Sequence, residues 1–170
     1  MKLLKSKKGF IGDIALFSIM LFAMVILLVV LYYTYTQVNN AWQSNSNIPS
    51  ESKSIMAYQS SKFLSVWDGW IIVALVGYLI ALVISALAIR THPVFGGLAL
   101  LVLIAIGVVA VNLANAYYSF ATGTPGLSAA AEAFSKSGFV MNNLPYFIIG
   151  FGIIFIIVLY AKSRSQVSVL

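Results

Sequence analysis

Between Trp67 and Phe120 the chain is a single apolar block, interrupted once, at Arg90-Thr91-His92-Pro93. Each side of that break is an uncharged run of about 20 residues or more, which as a helix covers the roughly 30 Å of a bilayer core. The break cannot be helix interior in lipid, because Pro93 supplies no amide hydrogen and drives His92 away from helical angles. Two membrane spans therefore meet at a tight hairpin, with Arg90 where the first leaves the lipid.

Comparable apolar runs lie at Phe10 to Tyr33 and Leu144 to Tyr160. With 61% hydrophobic and 8% charged residues, and a mean hydropathy of +0.99, the chain lies well outside the composition of a soluble domain. The sequence predicts an all-α integral membrane four-helix bundle, one domain over residues 1–170, with spans near 10–35, 67–90, 93–117 and 143–161. The connections 36–66 and 118–142 are expected as loops on the outer side. Tyr32, Tyr33, Tyr35, Trp67, Trp70, Tyr117, Tyr118, Tyr146 and Tyr160 cluster at span ends as an interfacial belt.

Charge sets the expected orientation. Lys2, Lys5, Lys7 and Lys8 precede the first span, which holds the N-terminus in the cytoplasm. Alternation then places Arg90, Lys162 and Arg164 inside as well, leaving Lys53, Lys62 and Lys136 outside, an N-in/C-in topology. The net charge of +6 is read as this topology together with attraction to anionic lipid, rather than as a surface for specific nucleic-acid binding.

Lys7-Lys8-Gly9-Phe10 invites a secretory-signal or a prepilin reading. The apolar run is too long for the first and lacks a small-residue cleavage site. Asp13 is one residue away from the position of a prepilin glutamate, and a pilin has one such helix rather than four. Asp13 is expected as a cap-region acid near the positive helix N-terminus.

Within the second span Gly77, Ala81 and Ser85 recur every four residues, a small-residue face on which another helix can approach closely. A neighbour in the bundle or a second copy would use it equally well. Asn112 and Asn115 lie near the outer end of the third span, where amides can bond across helices. Ser65 and Asp68 have the form of a short capping box at the start of the second span. Thr124-Pro125-Gly126 reads as a turn before an Ala-rich stretch able to form a short helix, and Asn142-Asn143-Leu144-Pro145 as the capped start of the last span.

No catalytic constellation is present. His92 is the only histidine and cysteine is absent, so the chain offers neither a thiolate site nor a second imidazole to share a metal, and no metal or cofactor is expected. Ser18, Ser85, Asn112 and Asn115 are scattered in depth rather than aligned as a channel stripe.

Lys8-Gly9-Phe10-Ile11-Gly12-Asp13-Ile14, Ile89-Arg90-Thr91-His92-Pro93-Val94-Phe95, Asn142-Asn143-Leu144-Pro145 and Leu159-Tyr160-Ala161-Lys162 together touch all four spans. In these features the chain resembles small membrane proteins of archaeal and bacterial viruses with an internal membrane, and of related mobile elements. The resemblance implies a non-enzymatic structural protein of a virus membrane, or of its assembly, lying beneath a capsid shell. It brings no catalytic residue. The partners it implies are the bilayer and other membrane or capsid proteins, in a homo- or hetero-oligomer, with Lys2, Lys5, Lys7, Lys8, Arg90, Lys162 and Arg164 toward lipid or shell. The alternative is an accessory integral subunit of a cellular membrane complex, or a small channel.

Overall fold

The computed structural model describes residues 12–88 and 95–167, with side chains in 12–88 and 97–162. Lys2, Lys5, Lys7, Lys8, Arg90, His92 and the Arg164 side chain lie outside the described residues. Six helices follow in order: α1 (Gly12–Ser44), α2 (Ser50–Ala88), α3 (Phe95–Gly123), α4 (Pro125–Ala133), α5 (Ser135–Asn142) and α6 (Leu144–Val167). Of these, α1, α2, α3 and α6 are long and apolar enough to cross a membrane. The chain is therefore the all-α, four-span bundle that its hydropathy predicts.

The segment 36–66 is not a loop. α1 has 33 residues and α2 has 39, about 50 and 58 Å of helix at 1.5 Å per residue, against roughly 30 Å of hydrocarbon. Both helices continue past the lipid and pair with each other, with only residues 45–49 breaking the helical run. The Gln, Asn and Ser residues there mark where the chain meets water, yet most of them are helical; α1 ends only at Ser44, and Pro49 directly precedes α2, its carbonyl accepting the Lys53 amide at 3.2 Å. The pair is tied by Tyr35 donating to the Met56 carbonyl at 3.1 Å. Near the tip, the Gln43 amide donates to the Lys53 carbonyl and the Lys53 ammonium to the Gln43 carbonyl, each at 2.8 Å. The stretch before Trp67 is thus part of a projecting helical hairpin.

The core runs the length of the bundle through Ile14, Leu21, Val25 and Val29 of α1, Ile71, Leu75, Leu82 and Ala86 of α2, Ile106 and Ala110 of α3, and Leu144, Ile148 and Phe155 of α6. These positions follow the three-and-four spacing of one helical face. On α2 that face is the large-residue one. Gly77 and Ala81 are exposed, and a Cβ built at Gly77 would meet nothing within 4 Å. Among the described residues Gly77 and Ala81 therefore form no tight seam with another helix, while Ser85 is half-buried. Close approach occurs instead between α3 and α6: a Cβ at Gly152 would collide with Leu103, and one at Gly107 would lie 3.7 Å from Ile149. On α3 the small residues Gly107, Ala110 and Ala114 face inward, at intervals of three and four that also keep to one helical face.

At one end of the bundle, α4 and α5 fold back over the spans. α4 lies against α1, where a Cβ on Gly126 would come within 2.7 Å of the Tyr33 ring. Phe134, between the two short helices, is fully buried and meets Tyr32 edge to face, with centroids 5.4 Å apart. At the opposite end the Lys162 ammonium donates to the Leu87 carbonyl in the last turn of α2, where a cation complements the helix terminus.

Candidate functional site

The end covered by α4 and α5 concentrates the polar chemistry of the described residues. Among them the buried polar side chains are Ser18, Asp68 and Ser137. Ser18 only bonds back along its own helix, to the Ile14 carbonyl at 2.7 Å. Asp68 and Ser137 form one junction.

Asp68 is not half of a local capping box. Ser65 sits mid-helix and donates to the Lys62 carbonyl at 3.1 Å. The Asp68 carboxylate crosses instead to α5, where it accepts the Lys136 amide at 3.1 Å, the Ser137 amide at 2.8 Å and the Ser137 hydroxyl at 2.9 Å. The residue before α5 is Phe134, which offers no side-chain cap. A carboxylate from a membrane span therefore supplies the cap, matching negative charge to the positive end of a helix and satisfying the Ser137 amide, which would otherwise be buried unpaired. With 6% of its surface exposed, Asp68 is placed to hold α5 firmly, since charge-assisted bonds strengthen away from water.

At the other end of α5, the Asn143 side-chain amide donates to the Phe139 carbonyl at 2.8 Å. Its side chain thus closes α5, while its own carbonyl accepts the Tyr146 and Phe147 amides and so starts α6, as the sequence predicts. Thr124 precedes α4 in an extended conformation without a side-chain cap bond, and Pro125 opens that helix. The Thr124-Pro125-Gly126 segment is thus a helix start rather than a free turn.

Beside the junction lies a cavity of about 370 Å³, formed by the last turns of α3 with α4 and α5 and lined by Tyr117, Tyr118, Thr122, Ser128, Glu132, Ser135, Phe139 and Asn142 among others. Tyr117 is buried, and a Cβ on Gly138 would lie 3.5 Å from its hydroxyl. The cavity is in the volume range of small-molecule sites and joins aromatic walls to a few polar groups. No sequence motif announces it, because its residues come from three helices, and only Glu132 stands out as an acid among alanines.

A smaller cavity of about 100 Å³ lies toward the opposite end, between Asp13 and Ile14 of α1, Tyr78, Ala81 and Ser85 of α2, and Phe155 of α6. Tyr78 stacks on Phe17 with parallel rings, centroids 3.7 Å apart. Asp13 is exposed there, as suits an acid in the first turn of α1.

The other residues singled out in the sequence do not converge on either cavity. Asn112 is exposed and donates to the Val108 carbonyl of its own helix at 2.9 Å, and Asn115 is also exposed; the bond across helices expected of Asn112 is replaced by one along α3. Among the described residues no three His, Asp or Glu side chains gather as a metal site. Comparison with known protein families, curated proteins and solved structures finds no match to this chain.

Proposed function

We propose that this chain is a non-enzymatic structural membrane protein of a virus particle or of its assembly, anchored in an internal membrane beneath a capsid shell. The observation that carries the structural role is the helical hairpin of α1 and α2, which continues well past the lipid and projects a paired, self-braced element from a closed apolar bundle. A bundle that only filled lipid would have no use for it. A conduit would need a polar stripe through the membrane, whereas the buried polar side chains among the described residues are few and each has a partner. The assignment to a virus membrane rests on the resemblance at the span ends.

Orientation follows from the distribution of cations. A membrane recruited into a capsid that assembles in the cytoplasm keeps its cytoplasmic leaflet toward the shell. Lys2, Lys5, Lys7, Lys8, Lys162 and Arg164 then meet anionic headgroups or acidic patches under the shell. The genome side carries Lys53, Lys62 and Lys136 against Glu51, Asp68 and Glu132, too balanced for strong phosphate binding.

Density-gradient fractionation of cells carrying the gene tests the reading. The chain should band with released particles at a fixed ratio to the shell protein, with its termini on the shell side. Recovery in cell membranes alone, in a complex of fixed stoichiometry, would move the assignment to a subunit of a cellular membrane complex.

A further inference from the structure

The wall of the cavity between α3, α4 and α5 combines donor-capable Tyr117, Tyr118, Ser135 and Asn142 with a set of acceptors that includes, among the described residues, its one charged side chain, Glu132. The Thr122 hydroxyl donates to the Tyr118 carbonyl at 2.8 Å and the Ser128 hydroxyl to the Pro125 carbonyl at 2.7 Å. With their hydrogens committed, both present lone pairs to an occupant. Glu132 adds a carboxylate, and among the described residues lining the cavity there is no lysine or arginine.

Helix ends add to the same sign. The last turns of α3, α4 and α5 contribute Thr122, Glu132 and Asn142 to the wall, and a helix C-terminus carries partial negative charge. The opposing positive end of α5 is already met, its Lys136 and Ser137 amides being held by Asp68. Tyr117, Tyr118, Phe134 and Phe139 supply ring surface, which attracts a desolvated ammonium. The arrangement is complementary to a cation that donates hydrogen bonds.

Its depth identifies the source. The cavity lies at the end of the third span, Gly97–Gly123, where a helix of that length reaches the headgroups of a bilayer, and the exposed rings of Tyr118 and Phe139 line it. From Tyr118 an exposed apolar stripe runs back along the same face of α3 through Val111, Val108, Ile104 and Leu101, the course that an acyl chain would follow.

We propose that this cavity binds the ammonium headgroup of a zwitterionic aminolipid such as phosphatidylethanolamine, with the ammonium at Glu132 and an acyl chain along Val111, Val108 and Ile104. The site gives the protein a preference for lipid composition in whichever membrane it occupies. It does not depend on the virus reading.

The test uses the delipidated full-length chain in detergent, with dihexanoyl phosphatidylethanolamine, dihexanoyl phosphatidylglycerol and free ethanolamine as probes and retained ligand read by native mass spectrometry. Wild type should retain the ethanolamine lipid over the glycerol lipid by roughly threefold to tenfold, the scale of one charge-assisted contact at a partly exposed site. Glu132→Gln should bring the ratio near unity, and Glu132→Lys should reverse it. Tyr118→Leu, at an exposed position, should weaken the ethanolamine lipid alone. Equal retention of both lipids by wild type, or an unchanged ratio in Glu132→Gln, overturns the site. Displacement by free ethanolamine at the lipid's own concentration overturns the lipid assignment in favour of a soluble amine.

Discussion

Asp68 and Ser137 stand 69 residues apart in the chain and share two hydrogen bonds, from the Ser137 amide at 2.8 Å and its hydroxyl at 2.9 Å. That pair fastens the short helices to the membrane-spanning bundle. Asp68→Ala would leave the buried Ser137 amide and the part-buried Lys136 amide without their acceptor, at about 1–3 kcal/mol for the unpaired groups. It should lower the melting temperature in detergent and raise amide exchange at 136–140 first. Ser137→Ala removes one hydroxyl bond and leaves the amide bond in place, so it should cost about 1 kcal/mol. Equal exchange at 136–140 in Asp68→Ala and wild type would contradict the junction.

The glycines separate helix contact from open surface. Gly152→Val forces a branched side chain into Leu103, and overpacking of a buried contact costs about 1–3 kcal/mol. Gly77→Val places the same volume where nothing lies within 4 Å. The first should reduce the yield of folded protein and its melting temperature, and the second should leave the isolated chain unchanged. Gly126→Ala falls between them, because the Tyr33 ring that it meets is the end of a side chain able to turn aside.

The two small-residue faces also show what the sequence could and could not say. Gly77, Ala81, Ser85 at intervals of four and Gly107, Ala110, Ala114 at three and four both keep to one helical face, and only the positions of the other helices decide which set is buried. The four spans were legible because lipid demands about 20 uncharged residues per crossing, a constraint local to each run. Residues 36–66 misled because polarity reports contact with water and not the backbone's hydrogen bonding. α5 was hidden for a different reason: Ser135-Lys136-Ser137-Gly138 is a weak helix start, and its cap comes from Asp68, far away in sequence. The cavity at Glu132 was invisible until three helices were brought together.

The hairpin can be broken without touching the bundle. Val38 lies exposed in the projecting part of α1, and Val38→Pro should remove a helical hydrogen bond and clash with the preceding turn, at about 3 kcal/mol. Amide protection should fall over residues 36–44 and around Lys53, while protection in the spans persists. If 36–66 were a loop, the substitution would change nothing.

Because the chain contains no cysteine, single-cysteine variants report topology cleanly. Asn45 marks the tip of the hairpin and Ala129 an exposed position on α4, and the antiparallel path of the spans puts both at the same end of the bundle. In sequence order the basic residues before α1, Arg90 between α2 and α3, and Lys162 and Arg164 after the last span are assigned to the other end, seven cations against Lys53, Lys62 and Lys136. That excess should hold the second end in the cytoplasm. Asn45→Cys and Ala129→Cys should therefore react with an impermeant maleimide applied to intact cells, and Ser6→Cys only after permeabilisation. Reversing the pattern would invert the orientation proposed for the particle, with the projecting hairpin then under the shell and the basic termini toward the genome. Labelling of only one of positions 45 and 129 in intact cells would break the four-span path itself.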